Sequence, residues 1–202
     1  MEKRHRIFIA INLPEDIKKS LVRHTEKWQE LFRSLCDRES STKSGPAKWV
    51  EKDNLHITLV FMGDLNDVEL ADTCEAVKQI AETQKSFSIN LNKIVYGPPK
   101  KMPPRYVWVN GEKSEELQEL KNELEELLLE KVNFKPEGRG FAPHITLARI
   151  LETAFRQIEP DERPEINEDI DFMFSVESIE IMESEMKRGG PQYTIIESHN
   201  LQ

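Results

Sequence analysis

The sequence predicts an α+β fold, mostly antiparallel, in which two similar lobes form one domain. The segment HITL occurs twice, at 56–59 and 144–147, and each copy lies in an extended apolar stretch. Each copy also follows a long segment whose apolar residues have helical spacing. At 202 residues, the chain is long enough for one core, so we expect a single domain over 1–202 with approximate halves 1–98 and 99–202.

The first half is predicted to run strand, helix, strand pair, helix and strand. Pro14 begins the first helix, because proline is tolerated in a first helical turn and the acidic residues after it are favoured there. A polar loop, 39–48, follows this helix; it has no predicted core residues, and its role is open. The predicted elements are the strand 7–13, the helix 14–36, the extended segments 48–50 and 55–63, the helix 70–81 and the strand 87–97.

The second half begins again with a strand, 105–110, and a helix for which Ser114 is the predicted N-cap. One face of that helix is leucine-rich, with Leu117, Leu120, Leu124 and Leu127. The second HITL strand and a polar, acidic segment, 151–170, come next. DFMFSVESIEIMES (171–184) and QYTIIES (192–198) are predicted to form a strand pair joined by KRGGP. A change of apolar parity between Val176 and Ile179 predicts a bulge.

Composition and charge argue against several classes of function. The net charge of −9 argues against non-specific binding to nucleic acid, which depends on lysine and arginine, and fits a short or terminal phosphate ligand better. Cys36 and Cys74 form no CxxC pair and lie on predicted helices, where buried thiols are expected rather than a disulfide or metal site. No apolar run approaches the roughly 20 residues of a membrane helix, so we expect a cytoplasmic protein without membrane association.

Alternation along a strand places His56 and Thr58 on one face, and it does the same for His144 and Thr146. Two amphipathic strands with a polar face in water would explain a single copy, but two copies in equivalent places favour one shared site. A metal site is the next candidate, yet each strand offers one imidazole and no carboxylate at ligand spacing. The sequence also has no GxSxG motif, no catalytic-cysteine context and no Walker-type loop.

Acid–base chemistry by two histidines is the interpretation that remains. Because the ordinary imidazole pKa is about 6.5, one ring can be neutral while the other is protonated near neutral pH. Opening a phosphodiester ring with water needs such a base and such an acid. The threonine hydroxyls can stabilise charge on the non-bridging oxygens, so neither a metal nor another cofactor is expected.

Four segments carry a family resemblance: LHITLVFMGDL, PHITLARI, IFIAINLP and GGPQYTI. With them the whole chain resembles the two-histidine (2H) phosphoesterase superfamily, and within it the RNA 2′,3′-cyclic phosphodiesterases, historically called 2′-5′ RNA ligases. The resemblance implies HxT strands that line a cleft, and hydrolysis of a 2′,3′-cyclic phosphate on an RNA 3′ end or nucleotide to a 2′-phosphomonoester. It also implies that His56 donates a proton to the 3′ oxygen and that His144 accepts one from water; nothing in the spacing assigns these roles.

Further side chains are candidates for substrate binding. Thr58 and Thr146 are predicted to hold the phosphate, and Arg149 is a third candidate because arginine suits phosphate oxygens. Strict alternation puts Arg149 on the Leu147 face, so it reaches the cleft only if the strand ends or twists there. By the same parity Phe61 is predicted in the core. Four aromatic residues in predicted strands are expected to pack in the core, although any of them could edge the cleft: Trp49, Tyr106, Trp108 and Tyr193. His5 and His199 are expected to be solvated, and His24 is expected to be structural. Arg139 is a candidate for positive charge in the pocket.

Two rival functions stay open at this point. The same two histidines could serve a 2′-5′ phosphodiester hydrolase or a reversible 2′-5′ RNA ligase. A nucleotide-binding module without significant turnover is the alternative from another class, against which the two intact HxT motifs count. We expect a monomer whose partner is the RNA end or nucleotide, with no obligate protein partner.

Overall fold

The computed structural model describes residues 3–35, 45–138, 140–188 and 190–202. In chain order, the elements are β1 (His5–Asn12), α1 (Glu15–Ser34), β2 (Ala47–Trp49), a 3₁₀ helix (Lys52–Asn54), β3 (His56–Leu65), α2 (Asp67–Ala81), β4 (Phe87–Gly97), β5 (Tyr106–Gly111), α3 (Glu115–Lys131), β6 (His144–Ile150), α4 (Glu152–Arg156), β7 (Asn167–Val176), β8 (Ser178–Lys187) and β9 (Gly190–Asn200). All pairings among the described strands are antiparallel, which confirms the predicted α+β class. None of the described helices has the length and apolar character needed to span a membrane.

The described strands form one continuous sheet in the order β7-β4-β5-β6-β3-β1-β8-β9, and β2 pairs with β6 as well. We call β3, β1, β8 and β9 the His56 lobe, and β6, β5, β4, β7 and β2 the His144 lobe. The two HITL strands, β3 and β6, are therefore neighbours at the junction of the lobes, as predicted. Strands of the two sequence halves are interleaved, since β4 lies in the His144 lobe and β8 and β9 in the His56 lobe. The division at residue 98 stays a prediction.

Local chemistry explains where the helices begin. The Asn66 side chain accepts from the Glu69 backbone N–H, while the Glu69 carboxylate accepts from the Asn66 N–H, so α2 starts with a complete capping box. Ser114 accepts from the Leu117 N–H at 3.0 Å, which confirms the predicted cap of α3. For α1, Pro14 occupies the N-cap position and two carboxylates follow in the first turn.

The core lies on one face of the sheet, where α1, α2 and α3 pack. The aliphatic residues of the two HITL copies, Ile57, Leu59, Ile145 and Leu147, are all nearly inaccessible there, together with helical residues such as Leu21, Val77 and Leu120. The histidine and threonine of each copy point to the opposite face and stay partly exposed. The helices therefore cover the apolar face and leave the HxT face open as the cleft face.

The predicted single strand 171–184 is wrong. It is two strands, β7 and β8, which separate at Glu177 and lie at distant positions in the sheet. β7 pairs with β4 in the His144 lobe, whereas β8 pairs with β1 and β9 in the His56 lobe. The change of apolar parity after Val176 therefore marks a crossing between lobes and not a bulge. The predicted pairing of 192–198 with the strand before KRGGP is confirmed by the β8–β9 hairpin.

Two segments predicted to be polar contribute to the core. The stretch 151–170 contains α4 and the start of β7, and buries Phe155, Ile158 and Ile166. The loop 39–48 was expected to hold no core residue, but Ala47 lies in β2 and is completely buried. Short apolar side chains between charged residues give no clear periodic signal, so only the pairing of β2 with β6 identifies Ala47 as buried. Residues 36–44, including Cys36, lie outside the described residues.

Candidate active site

The two HITL copies face each other across the junction of the lobes. Ile57 is opposite Ile145 in the antiparallel pair of β3 and β6. Continued by one residue on each side, this register sets His56 opposite Thr146 and Thr58 opposite His144. The two histidines therefore occupy a diagonal of one small patch on the cleft face, with a threonine at each other corner. The structure brings together the four HxT residues that the sequence predicts.

The fourth residue of each HITL is the extra residue of a β-bulge. Leu59 has no partner in the register of β3 with β1, and Leu147 has none in the register of β6 with β5. A bulge shifts the alternation of all residues after it. The burial pattern is accordingly the same in both copies, with two successive buried residues followed by an exposed one. In β3 the exposed residue is Phe61, and in β6 it is Arg149.

These bulges decide two open assignments. Arg149 pairs with Tyr106, in line with Thr146 opposite Trp108 and His144 opposite Asn110, so all three β6 side chains share the cleft face. Arg149 reaches this face although the strand continues past it. The core prediction for Phe61 is wrong, because its side chain is 53% exposed on the corresponding side of β3. Strict alternation misplaces both side chains, because it does not allow for the extra residue of a bulge.

Each histidine is oriented in the same way by the segment that precedes its strand. Nδ1 of His56 donates to the Asn54 carbonyl at 2.7 Å, and Nδ1 of His144 donates to the Ala142 carbonyl at 2.8 Å, in both cases two residues back. This bond fixes the tautomer in which Nε2 has no proton when the ring is neutral. In each ring, Nε2 is then the nitrogen that can accept or release a proton. In the His56 ring, Nε2 also lies 3.0 Å from Oγ1 of Thr58.

The surroundings of the His56 ring are apolar. Phe8 lies 4.9 Å from its centroid and Tyr193 lies 5.3 Å away, edge-on. Burial of the ring lowers the pKa of His56 to about 4, although the bond to the Asn54 carbonyl acts in the opposite direction. Positive charge on Lys18 and on His144 lowers the pKa further. His144 is therefore close enough to His56 for the charge of one ring to affect the other.

The His144 ring lies against Trp108, with 4.0 Å between centroids, and Trp108 stacks in turn on Tyr106. This arrangement depends on Gly97 in β4, because a Cβ atom there would lie 2.2 Å from the Trp108 ring. Glycine is thus the residue that lets Trp108 lie flat beside His144. Tyr106, Trp108 and Tyr193 all edge the cleft, whereas Trp49 packs into the core against Phe32.

Sequence reasoning missed the buried polar groups near His56. Asn12 is opposite His56 in the β1–β3 pair, and its backbone N–H donates to Glu180 at 3.1 Å. Glu180, only 4% exposed, also accepts from the hydroxyls of Ser178 and Ser198. Lys18 on α1 is 6% exposed, with Nζ 3.4 Å from the Asp53 carbonyl, and burial lowers its pKa. No local pattern distinguishes these side chains from surface charges, because strand pairing and helix packing bury them.

The remaining predicted residues lie away from the site. The expected solvation of His5 is wrong, since it is buried with Glu183 at 2.8 Å and Asp67 at 3.0 Å. His199 is partly buried and pairs with Glu197. Nδ1 of His24 lies 3.1 Å from a carboxylate oxygen of Glu168, consistent with a structural role for His24. Cys74 is a buried thiol of α2, as predicted, and burial raises its pKa to about 11. Arg139 lies outside the described residues.

No group of three side chains suited to holding a metal ion occurs within the described parts of the chain. The site instead consists of two imidazoles that are each anchored through Nδ1, two hydroxyls between them, and Arg149 on the same face. Such a set can move protons at a small anion while it donates hydrogen bonds to that anion.

Comparison with known proteins agrees with this geometry. Residues 18–188 match the model of the 2′-5′ RNA ligase superfamily. The RNA 2′,3′-cyclic phosphodiesterase of Thermotoga maritima is 29% identical over 195 residues, which is 95% of this chain and 92% of that protein. The RNA 2′,3′-cyclic phosphodiesterase of Methanocaldococcus jannaschii is 31% identical over 194 residues, 95% of this chain and 98% of that protein.

The fold agrees as well. The crystal structure of TT0787 from Thermus thermophilus superposes with a TM-score of 0.77 and 27% identity, covering 97% of each chain. The resemblance inferred from the HxT segments is therefore confirmed by sequence and by structure over nearly the whole chain. The family match spans most of the protein, and both HxT strands lie within it. On these grounds the chain belongs to the 2′-5′ RNA ligase superfamily, and it is similar over nearly its whole length to proteins named RNA 2′,3′-cyclic phosphodiesterases.

Proposed function

We propose that this protein hydrolyses 2′,3′-cyclic phosphates, at RNA 3′ ends or on nucleotides, to 2′-phosphomonoesters. The observation that carries the proposal is the diagonal pair of histidines on β3 and β6, each anchored through Nδ1 to a backbone carbonyl. The names of the relatives, which match nearly full length, support the same reaction. A cytoplasmic location and a monomeric state stay predictions from the sequence.

The reaction assigns one task to each polar group. A water molecule attacks phosphorus and gives a proton to Nε2 of His144, while the bond from phosphorus to the 3′ oxygen breaks. Nε2 of His56 supplies the proton that the departing 3′ oxygen takes, so the product has a 3′ hydroxyl and a 2′ phosphate. The hydroxyls of Thr58 and Thr146 donate to the non-bridging oxygens, whose charge grows in the transition state. Arg149 adds positive charge on the same face.

The pKa of His56 puts a condition on these roles. With a pKa near 4, the ring is neutral at pH 7 in the protein alone, which suits a base better than an acid. An anionic phosphate beside Nε2 stabilises the protonated ring and raises its pKa. We therefore propose that His56 acquires its proton when the substrate binds, and that His144 is the base. The reverse assignment predicts that the pKa of His56 stays low in the complex.

The family description favours a second candidate, reversible joining of RNA ends through a 2′-5′ linkage. The same two histidines could serve it, with a ribose 5′ hydroxyl in place of water. Because water is in large excess over RNA ends, we propose hydrolysis as the main reaction.

The deciding experiment is incubation with an oligoribonucleotide that ends in a 2′,3′-cyclic phosphate, with EDTA present. We expect a 2′-phosphomonoester, identified by phosphorus NMR, at a rate that EDTA does not change. A 3′-phosphomonoester would contradict the assigned leaving group. Activity that only a divalent ion restores would contradict metal independence, and tight binding without product would favour the binding module. An added 5′-hydroxyl RNA would reveal ligation as a longer product.

A further inference from the structure

A row of cationic side chains lies beside the candidate active site on the cleft face. Arg149 on β6 is directly opposite Lys48 on β2, and on its other side it is opposite Tyr106 on β5. Residues directly opposite each other in a sheet point to the same face, so Lys48 shares the cleft face with Arg149. The flanking residue Trp49 points the other way, into the core against Phe32, as alternation requires.

The pair of charges has no counterion of its own. In the parts of the chain that the structure describes, neither Lys48 nor Arg149 has a hydrogen-bonded or ion-paired carboxylate. Like charges directly opposite on neighbouring strands are destabilising. Because the two like charges repel each other and no carboxylate of the described residues offsets them, this placement favours an anion from outside.

The spacing indicates which anion this is. Tyr106 and Trp108 are two residues apart on β5, so the Lys48–Arg149 row is roughly 7 Å from the Thr146 row. This separation is comparable to the distance between successive phosphates in an extended RNA chain. A cyclic phosphate held by Thr58 and Thr146 is the 3′ end of its RNA, and nothing follows it. The next phosphate can only be the one on the 5′ side of the same nucleoside.

We propose that Lys48 and Arg149 form a second phosphate subsite that binds the 5′-side phosphodiester of the terminal nucleotide. This inference rests on the proposed function and narrows its substrate class to RNA 3′ ends in preference to cyclic mononucleotides. Arg149 is on the same strand as Thr146 and its long side chain can reach either phosphate, whereas Lys48 on β2 is placed for the 5′-side phosphate alone. In the His56 lobe, Phe61 occupies the position that corresponds to Arg149.

The test compares three substrates: adenosine 2′,3′-cyclic phosphate, the dinucleotide ApA with the same cyclic end, and that dinucleotide with a neutral methylphosphonate linkage. We expect kcat/KM to be highest for the charged dinucleotide. In Lys48→Gln the ratio of charged to neutral dinucleotide should fall about three- to tenfold, the range for an exposed charge contact. The slope of log kcat/KM against log salt for the charged dinucleotide should decrease by about 0.7.

Lys78→Gln is the matched control, because Lys78 is an exposed lysine of α2 far from the cleft face and the charge change is the same. It should leave all ratios unchanged. The proposal is overturned if wild-type protein does not distinguish the charged from the neutral dinucleotide, or if Lys48→Gln changes all three substrates equally or none of them.

A binding measurement separates this proposal from the proposed function. Calorimetry with the 2′-phosphorylated product forms of both dinucleotides gives the same charged-to-neutral ratio without turnover. If wild-type protein turns over no cyclic phosphate but binds the charged product more tightly in a Lys48-dependent way, the subsite stands and the reaction is wrong. If turnover occurs and neither ratio depends on Lys48, the reaction stands and the subsite is wrong.

Discussion

The two HITL strands have the same local structure and different neighbours. Both carry a bulge at the leucine, the same burial pattern and a histidine anchored to the carbonyl two residues back. An asparagine is opposite each histidine, Asn12 in one lobe and Asn110 in the other. The lobes differ at two other positions. The residue opposite the threonine is Ala10 in the His56 lobe and Trp108 in the His144 lobe. The exposed residue after the bulge is Phe61 in the His56 lobe and Arg149 in the His144 lobe.

This difference is what would let one strand motif supply the two chemical roles proposed for the histidines. His56 is enclosed by Phe8 and Tyr193 and has its pKa lowered, whereas His144 lies beside an aromatic stack that leads to a basic row. An acid and a base need different environments although they need the same side chain. The backbone repeat thus fixes the geometry, and the flanking strands set the electrostatics.

The largest expected effect is the loss of either histidine. We expect His56→Ala and His144→Ala each to lower kcat by about 10²–10⁴, because each removes one proton-transfer step. The double variant should be little worse than either single variant, since the two rings act as one unit. Rates on a cyclic-phosphate oligonucleotide measure this, with circular dichroism as the folding control. Near-normal turnover in either single variant would show that the copies do not form one site.

The low pKa of His56 should make stability depend on pH. The unfolded His56 takes up a proton near pH 6.5, but the folded ring takes it up only near pH 4, so stability falls as the pH decreases between these values. The contribution is on the order of 3 kcal/mol, and it is lost gradually through this interval. In His56→Gln the dependence of unfolding free energy on pH should be flatter here, as urea titrations at several pH values would show. An unchanged slope would contradict the low pKa.

Gly97→Ala should affect the His144 lobe alone. The added Cβ lies 2.2 Å from the Trp108 ring, so the ring has to move from its place against His144. We expect a stability loss of about 1–3 kcal/mol and a lower kcat, because overpacking displaces side chains. Gly138→Ala is the control, since a Cβ there meets nothing within 4 Å. Tryptophan fluorescence reports whether the Trp108 ring has moved. If the fluorescence changes but kcat does not, Trp108 does not position His144.

The smallest effect on activity should come from loss of the threonine hydroxyls. The two threonine variants should differ in their pH profiles. Thr58→Val and Thr146→Val should each raise the barrier by about 1–2 kcal/mol, as the loss of one hydrogen bond to a growing charge does. Only Thr58→Val should also move the pH profile of kcat/KM, because Thr58 contacts Nε2 of His56 in the absence of substrate. Identical pH profiles for the two variants would show that this contact has no influence on the ring.

The sequence alone determined the features that depend on nearby residues. The helix of Ser114 follows from its cap and leucine spacing, the strand 87–97 from its apolar pattern, and the HxT pair from the exact repetition of four letters. Alternation correctly put the histidine and threonine of each copy on one face. Capping, spacing and alternation act over a few residues, and a linear pattern records them.

Only the tertiary structure decided the rest. Phe61 and Arg149 face the cleft because of bulges, which exist only relative to a partner strand. The crossing at Glu177 and the place of Lys48 beside Arg149 are set by pairings between residues distant in the chain. The low pKa of His56 comes from desolvation by rings on β1 and β9. Strand register and burial are collective properties of the folded sheet, and no short segment encodes them by itself.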